Sequence, residues 1–361
     1  MVINSNDIQK IALGSLILGG GGGGNIQEGL DTAAKALKLG KVEVLPLSEV
    51  ADRDGVVITI SGVGSPASDT AFYSDDVYEK ILHLIQTQLD KKIIGFIPCE
   101  MGGSSSFEPF IPAALLQLPI INSACDGRAH PFGIMGSLGL EKGENYTIQA
   151  GAGGRKETDT YVEILASGSI ESTSDLIRNA AAKAGGAVAV ARNPVSLSWL
   201  EDSGADGAYD LAEQLGEAYL SGSTPLESLQ NICPIIDGKI ICCGIIDGYT
   251  LHTENALDNG HFIINDGSSA YKMYFFNEYM ALEKDGERLN TFPDLMVTVD
   301  AEDGRILPTS DIRDGQKVIL FSAPKEKMIL GKGLRYRSTY KRIEDLLRIP
   351  MQEYIDDIFL D

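Results

Sequence analysis

The first half of the chain alternates unbroken apolar runs with amphipathic ones, and that alternation limits the fold more than any other feature. "GVVITIS" (55–61) and "KKIIGFIP" (91–98) are apolar without interruption, as strands buried on both faces are. "KVEVLPL" and "PIINSA" read as shorter strands. Between them lie helical patterns. "SNDIQKIALGSLIL" puts Ile8, Ile11, Ala12 and Ser15 on one face, with Asn6 in the N-cap place. "NIQEGLDTAAKALKLG" is opened by Asn25 and closed by Gly40, "SDDVYEKILHLIQTQLD" is opened by Ser74, and "FEPFIPAALLQL" is a short helix. Strands alternating with helices predict βαβ units, hence an α/β fold with a mainly parallel sheet and flanking helices.

Ligands of such sheets bind beyond the carboxyl ends of the strands. Here those ends are the loops "SGVGSPASDT" (61–70), "PCEMGGSSS" (98–106) and "NSACDGRAHPFG" (122–133). If the strands run parallel, all three loops open on one side.

The second half is punctuated differently. After a helix–strand–helix stretch at 174–220, Asp-Gly recurs six times, from Asp237-Gly238 to Asp314-Gly315. Asp-Gly supplies the positive φ angles of tight hairpins. "PIIDGKIICCG" and "LMVTVDAEDGRILP" read as strand–turn–strand. "FFNEYMALE" reads as one apolar strand carrying Asn277 and Glu278, of which alternation sends one inward. A chain of 361 residues holds about two domains. The expected division is 1–168, the α/β domain, and 169–361, helical at its start, then β-rich and mostly antiparallel.

A net charge of −21 repels phosphate backbones and anionic membrane surfaces, so neither nucleic acid nor a membrane is an expected partner. No apolar stretch reaches the roughly 18 residues that span a bilayer. The N-terminal run is short, is broken by Gly14 and lacks a basic flank, unlike a signal peptide. The five cysteines form no CxxC pair. The expected setting is a reduced cytoplasm, and the expected state a homo-oligomer. No HExxH or comparable ligand spacing occurs, so no cofactor is predicted, although a metal is not excluded.

Six consecutive glycines, Gly19–Gly24, lie between two predicted helices. No Lys-Ser/Thr follows, as a Walker loop requires, and no strand precedes, as a dinucleotide fingerprint requires. Six glycines are costly for a plain connector. They point to close backbone approach, to a ligand or to another loop, with Gly21, Gly22, Gly23 and Asn25 as candidate substrate contacts. "GAGGR" (151–155) is a weaker signal, a second glycine turn after a strand.

In "CEMGGSSS", Glu100 follows a strand end and is a candidate base, with Gly102, Gly103 and Ser104 as candidate ring contacts. "ACDGRAHP" gathers a thiol, a carboxylate, a guanidinium and an imidazole within six residues. Arg128 is a candidate for gripping a ring carbonyl by paired N–H bonds. His130 is a candidate proton donor to a leaving group, and Asp126 a candidate base or orienting group. Cys125 is a substrate-contact candidate and, as a minority reading, a nucleophile. His83, His252 and His261 read as core or surface.

In order along the chain, "ALGSLILGGGGGGN", "SGVGSP", "CEMGGSSS" and "CDGRAHPFGIMGSLGL" resemble the N-terminal domain of the S-methyl thiohydantoin desulfurase family. The segment from "FFNEYMALEKDGERLN" to "GQKVILFSAP" resembles its C-terminal domain. The resemblance implies a cytoplasmic protein of hydantoin-type ring metabolism, with a small heterocycle as substrate and a hydantoinase-like enzyme as partner. The implied activity is hydrolysis of an S-methylated thiohydantoin to methanethiol and a hydantoin. Many members read Asp-x-Asp-x-x-Gly-Arg-Ala-x-Pro-Glu where this chain has Asn122, Ala124 and Phe132 at the acidic places. Two readings stand at this point: a hydrolase of C–S or C–N bonds in a five-membered heterocycle, or a non-catalytic ligand-binding or accessory subunit of a hydantoinase/oxoprolinase-type system.

Overall fold

The computed structural model describes residues 1–64, 70–140, 146–254 and 257–361; residues 65–69 of the first predicted loop lie outside it. The first sheet has seven strands: β1 (Val44–Leu45), β2 (Val56–Gly64), β3 (Ile93–Pro98), β4 (Ile120–Ile121), β5 (Thr147–Gly153), β6 (Val162–Gly168) and β7 (Ala187–Val195). Their spatial order is β1-β4-β3-β2-β7-β5-β6. The four strands expected in the first half, β1 to β4, are mutually parallel. The sheet continues antiparallel through β7, β5 and β6. It is therefore mixed, and its interior strand β7 comes from beyond residue 169.

Among the described residues, ten α-helices accompany the sheets: α1 (Ser5–Gly19), α2 (Ile26–Leu39), α3 (Leu47–Val50), α4 (Asp76–Gln86), α5 (Phe110–Leu116), α6 (Ile170–Lys183), α7 (Leu197–Ser203), α8 (Ala208–Leu220), α9 (Pro225–Ile236) and α10 (Arg337–Leu347). Helix α1 starts at a capping box made by Asn4 and Asp7, two residues before the expected Asn6, because Asn4 is the residue whose side chain meets the free N–H groups. Asn25 caps α2 as expected. Gly40 closes it with extended rather than left-handed backbone. Ser74 does not cap α4; its hydroxyl turns to the Asp76 carboxylate.

The second sheet has eight strands: β8 (Lys239–Glu254), β9 (Leu257–Asn265), β10 (Ala270–Phe276), β11 (Glu278–Lys284), β12 (Glu287–Thr291), β13 (Leu295–Asp300), β14 (Ile306–Leu307) and β15 (Lys317–Ala323). It is antiparallel throughout, in the order β12-β11-β10-β9-β8-β15-β13-β14. Two readings are corrected. "PIID" ends helix α9, which starts at the Thr224 cap with Pro225 in its first turn, so only the following segment is strand. "FFNEYMALE" is two strands, because Asn277 takes φ 57° and reverses the chain between β10 and β11. Among the described residues no helix is long and apolar enough to cross a membrane.

The glycine run joins the two sheet units. Tyr279 N–H donates to Gly20 O at 2.8 Å and Thr309 N–H to Gly21 O at 2.9 Å. On the other side, Ser104 N–H donates to Gly23 O at 3.0 Å. Gly102 and Gly23 meet so closely that a Cβ on Gly23 would lie 2.5 Å from Gly102 Cα. Close backbone approach to other loops is thus what the run serves structurally, and Gly20, Gly21, Gly23 and Gly24 all have positive φ.

A candidate active site between the two sheets

The carboxyl ends of β2, β3 and β4 open on one side and, with the glycine run and residues 258, 277–278 and 308–310 of the second unit, line a cavity of about 540 Å³. Gly21, Gly22, Gly23, Asn25, Glu100, Ser104 and His130 all line it, as do Cys99, Glu108, Arg192 and Glu278. Beyond β3 and β4 the two chains stay side by side: Cys125 N–H donates to Pro98 O and Asp126 N–H to Cys99 O, and Glu100 and Asp126 form a parallel bridge. That register sets the Cys99–Glu100 pair beside the loop that carries His130.

Four of the lining side chains, Glu100, His130, Cys99 and Arg192, form a row. Glu100 Oε2 accepts the His130 backbone N–H at 3.0 Å and lies 3.5 Å from its Nδ1. His130 Nε2 is 3.9 Å from Cys99 Sγ. Arg192 Nη2 reaches the same sulfur at 2.9 Å. Gly136 packs against both Cys99 Sγ and the imidazole, where a Cβ would overlap them. Burial raises the Glu100 carboxyl above its ordinary value, against the pull of His130. Burial alone would lower His130, but Glu100 and Cys99 outweigh it and hold the imidazolium at about 10. The Cys125 thiol, with Arg192 and His130, holds Cys99 well below the ordinary thiol value although burial opposes them. Burial opposes the Arg192 charge too, and Cys99 overrides it.

Two carboxyls are held toward the neutral form. Burial and the neighbouring Glu100 push Glu278 up to about 8. Burial pushes Glu108 well up while its Oε1 accepts the Gly62 N–H. Glu278 Oε2 and Glu108 Oε2 are buried without a hydrogen-bond partner, as is Arg192 Nε. Orphaned buried polar atoms around a cavity are what a polar ligand would satisfy. Among the described residues no three metal-ligating side chains are grouped to hold an ion.

Five candidates do not line the cavity. Arg128, expected to grip the ring, is fully buried: its guanidinium donates to the carbonyls of Leu18, Pro293 and Asp294 and lies over the Phe292 ring. It is a brace between the sheet units, and burial lowers it to about 10. Asp126 accepts the Gly331 N–H at 3.0 Å from the second unit, and burial lifts it to about 7. Cys125 lies behind Cys99, against the Thr59 hydroxyl at 3.2 Å, and burial raises its thiol well above the ordinary value. Gly102 and Gly103 contact the glycine run instead of the cavity. Asn25 does line it, but its Oδ1 is occupied in capping α2.

Cys99, Arg192 and Glu108 were missed by sequence reasoning. The available signal for Arg192 was a charge inside the apolar strand "AVAVARNPV". The positions where the acidic motif is absent are structural here. Asn122 Oδ1 accepts the Tyr209 and Asp210 N–H groups at the start of α8, Ala124 is fully buried, and Phe132 packs on Phe276.

A comparison with curated proteins found no match. A crystal structure of a protein from Chromobacterium violaceum is similar over 96% of each chain, with a TM-score of 0.68 and 18% identity, a level that shows a shared fold. Family profiles described as S-Me-THD-like, N-terminal domain and S-Me-THD-like, C-terminal domain match residues 6–159 and 169–336. The matched segments cover most of the chain in the same order as the two sheet units, and the protein therefore belongs to the S-methyl thiohydantoin desulfurase (S-Me-THD-like) family.

Proposed function

We propose that this protein hydrolyses a small hydantoin-type heterocycle, with an S-methyl thiohydantoin as the leading substrate: ring–SCH₃ and water give the hydantoin carbonyl and methanethiol. The observation that carries this reading is the Glu100–His130 pair facing a cavity across from a carboxyl, Glu278, that burial keeps largely protonated at neutral pH. Neutral Glu278 donates a hydrogen bond to a ring nitrogen or carbonyl and draws electrons from the ring carbon. Glu100, made more basic by burial, accepts a proton from water. His130 as imidazolium supplies the proton that the departing sulfur needs. Arg192 is the cavity's buried guanidinium and takes the charge-stabilising part that Arg128 is too far enclosed to play.

The accessory-subunit reading loses its main support, because Asn122, Ala124 and Phe132 do not line the cavity, so their lack of charge removes nothing from it. The test is turnover of 5-substituted S-methyl thiohydantoins and hydantoins by the purified chain, with methanethiol followed by gas chromatography and ring products by mass spectrometry. Thermal stabilisation by these rings with no product from any of them would replace the hydrolase reading with the ligand-binding one.

A further inference from the structure

Arg192 is 7% exposed, and among the described residues its guanidinium has one hydrogen-bond partner, the sulfur of Cys99. A buried guanidinium is held either by several acceptors, as Arg128 is by three carbonyls, or by a counter-charge close by. No carboxylate is in ion-pair contact with it among the described residues; the atom at 2.9 Å is a thiol sulfur. The same sulfur has the His130 imidazole on its other side. Cys99 thus stands between two cationic groups, and its ionised form places a counter-charge in contact with the nearer one.

The remaining charged or titratable neighbours are consistent with this. Cys125, from the loop after β4, stays a neutral thiol through burial. Glu108, from the segment before α5, is pushed well up toward its neutral form by burial. Glu100, on the same segment as Cys99, is matched by His130. Cys99 also lines the cavity, which Cys125 does not.

We propose that Cys99 is the nucleophile of this site, its thiolate adding to the ring carbon that carries the leaving sulfur and holding the ring covalently until water releases it. The substrate in this inference rests on the function proposed above. In the first half, the Cys99 Sγ–carbon bond forms and the carbon–SCH₃ bond breaks. The electron pair leaves on the methyl sulfur and the His130 proton converts it to methanethiol. In the second half, water adds to the same carbon and Sγ departs as thiolate. The oxygen becomes the ring carbonyl. One of water's protons passes through Glu100 to restore His130, and the other ends on the ring nitrogen. Nothing is oxidised or reduced.

The test is alkylation of the folded protein by iodoacetamide from pH 6 to 9, with each cysteine quantified by peptide mass spectrometry. A neutral thiol gains about tenfold in rate per pH unit below its pKa, whereas a thiolate is already at its plateau. Cys99 is expected to react at a nearly constant rate over pH 6–8. Arg192→Gln is expected to slow it at pH 6 by about tenfold or more and to restore a rising profile. A Cys99 rate that climbs tenfold per unit in the wild type, or complete protection of Cys99 while exposed Cys243 is labelled, overturns the proposal. Cys99→Ala that still turns over S-methyl thiohydantoin overturns the covalent route and leaves the hydrolase reading standing. Flat, fast labelling of Cys99 in a protein that consumes none of these rings supports the thiolate and removes the assigned substrate instead.

Discussion

Gly22 and Glu278 touch across the seam between the two sheet units, and a Cβ on Gly22 would overlap the Glu278 carboxyl. The overlapped atoms are the far end of a flexible side chain, and Gly22 does not have a positive φ. Gly22→Ala is therefore expected to fold and to push the carboxyl out of position. A misplacement of about 1 Å costs on the order of a hundredfold in rate, so kcat/KM should fall by about 10- to 100-fold while Tm changes little. Gly23→Ala is the contrasting variant. Its Cβ would meet the Gly102 backbone from a φ of +79°, and Tm should drop with activity. Equal effects of the two substitutions on Tm would contradict this assignment.

Glu278 also makes a pH prediction with a definite sign. Its carboxyl is lifted to about 8 in the fold, so between the ordinary carboxylate value and 8 the folded chain binds a proton that the unfolded chain releases. The stability linked to it is complete at acid pH and is lost as pH rises through that window. Glu278→Gln should therefore raise Tm at pH 8.5 relative to wild type, by the equivalent of about 1–3 kcal/mol, and have less effect at pH 5. If neutral Glu278 polarises the ring, wild-type kcat/KM should decline above about pH 8, and the glutamine variant should lack that decline. A wild-type profile flat to pH 9.5 would remove Glu278 from the chemistry.

Much of the first unit is legible from residue patterns, and the exceptions have physical causes. β2 and β3 announce themselves because strands buried on both faces are continuously apolar. β5 is legible only in part: a strand ahead of "GAGGR" is expected, but it runs on through Gly151–Gly153, where small residues read as a turn. It pairs antiparallel with β7 all the same, which makes the sheet mixed. The end of helix α9 was hidden because "ICPII" is apolar throughout and Asp237-Gly238 looks like a hairpin turn, whereas Asp237 is the left-handed cap that closes the helix. The three-loop mouth follows from strand direction alone and was therefore readable. Which side chains point into it was not. Arg128 and His130 are two residues apart, yet one is enclosed by carbonyls from both units and the other faces the cavity. Cys99 and Arg192 are 93 residues apart and meet only because β7 returns to the sheet next to β2.

Arg128 as a brace has a consequence opposite to that of a substrate-gripping arginine. Its removal leaves three buried carbonyls, of Leu18, Pro293 and Asp294, without their donor. A buried carbonyl left without its donor costs about 1–3 kcal/mol, so Arg128→Ala should lower Tm markedly, or the urea midpoint, in a titration of the whole chain. Arg128→Lys should recover only part of it, because one ammonium cannot reproduce the fork. On the folded fraction, KM and kcat should remain within about threefold of wild type. A variant with wild-type Tm and no turnover would return Arg128 to the active site.

Two carboxyls from adjoining loops competed for the role of base, and their surroundings separate them. Glu100 lines the cavity and is ion-paired with His130, whereas Asp126 lies outside the lining and is tied through Oδ1 to the Gly331 N–H. Glu100→Gln keeps the shape and the acceptor for the His130 amide but removes the base, and a positioned base is worth about 10²–10⁴ in rate. Its kcat should fall by at least a hundredfold with KM little changed. Asp126→Asn keeps an oxygen for Gly331 and removes a carboxyl that burial already lifts to about 7. The folded state holds that proton up to about pH 7, so the linked stability is lost as pH rises from the ordinary carboxylate value through 7. Asp126→Asn should accordingly be no less stable than wild type at pH 8 and should keep turnover within a few-fold. The opposite ranking, with Asp126→Asn inactive and Glu100→Gln active, would place the water on the far side of the Glu100–Asp126 bridge, away from the glycine run.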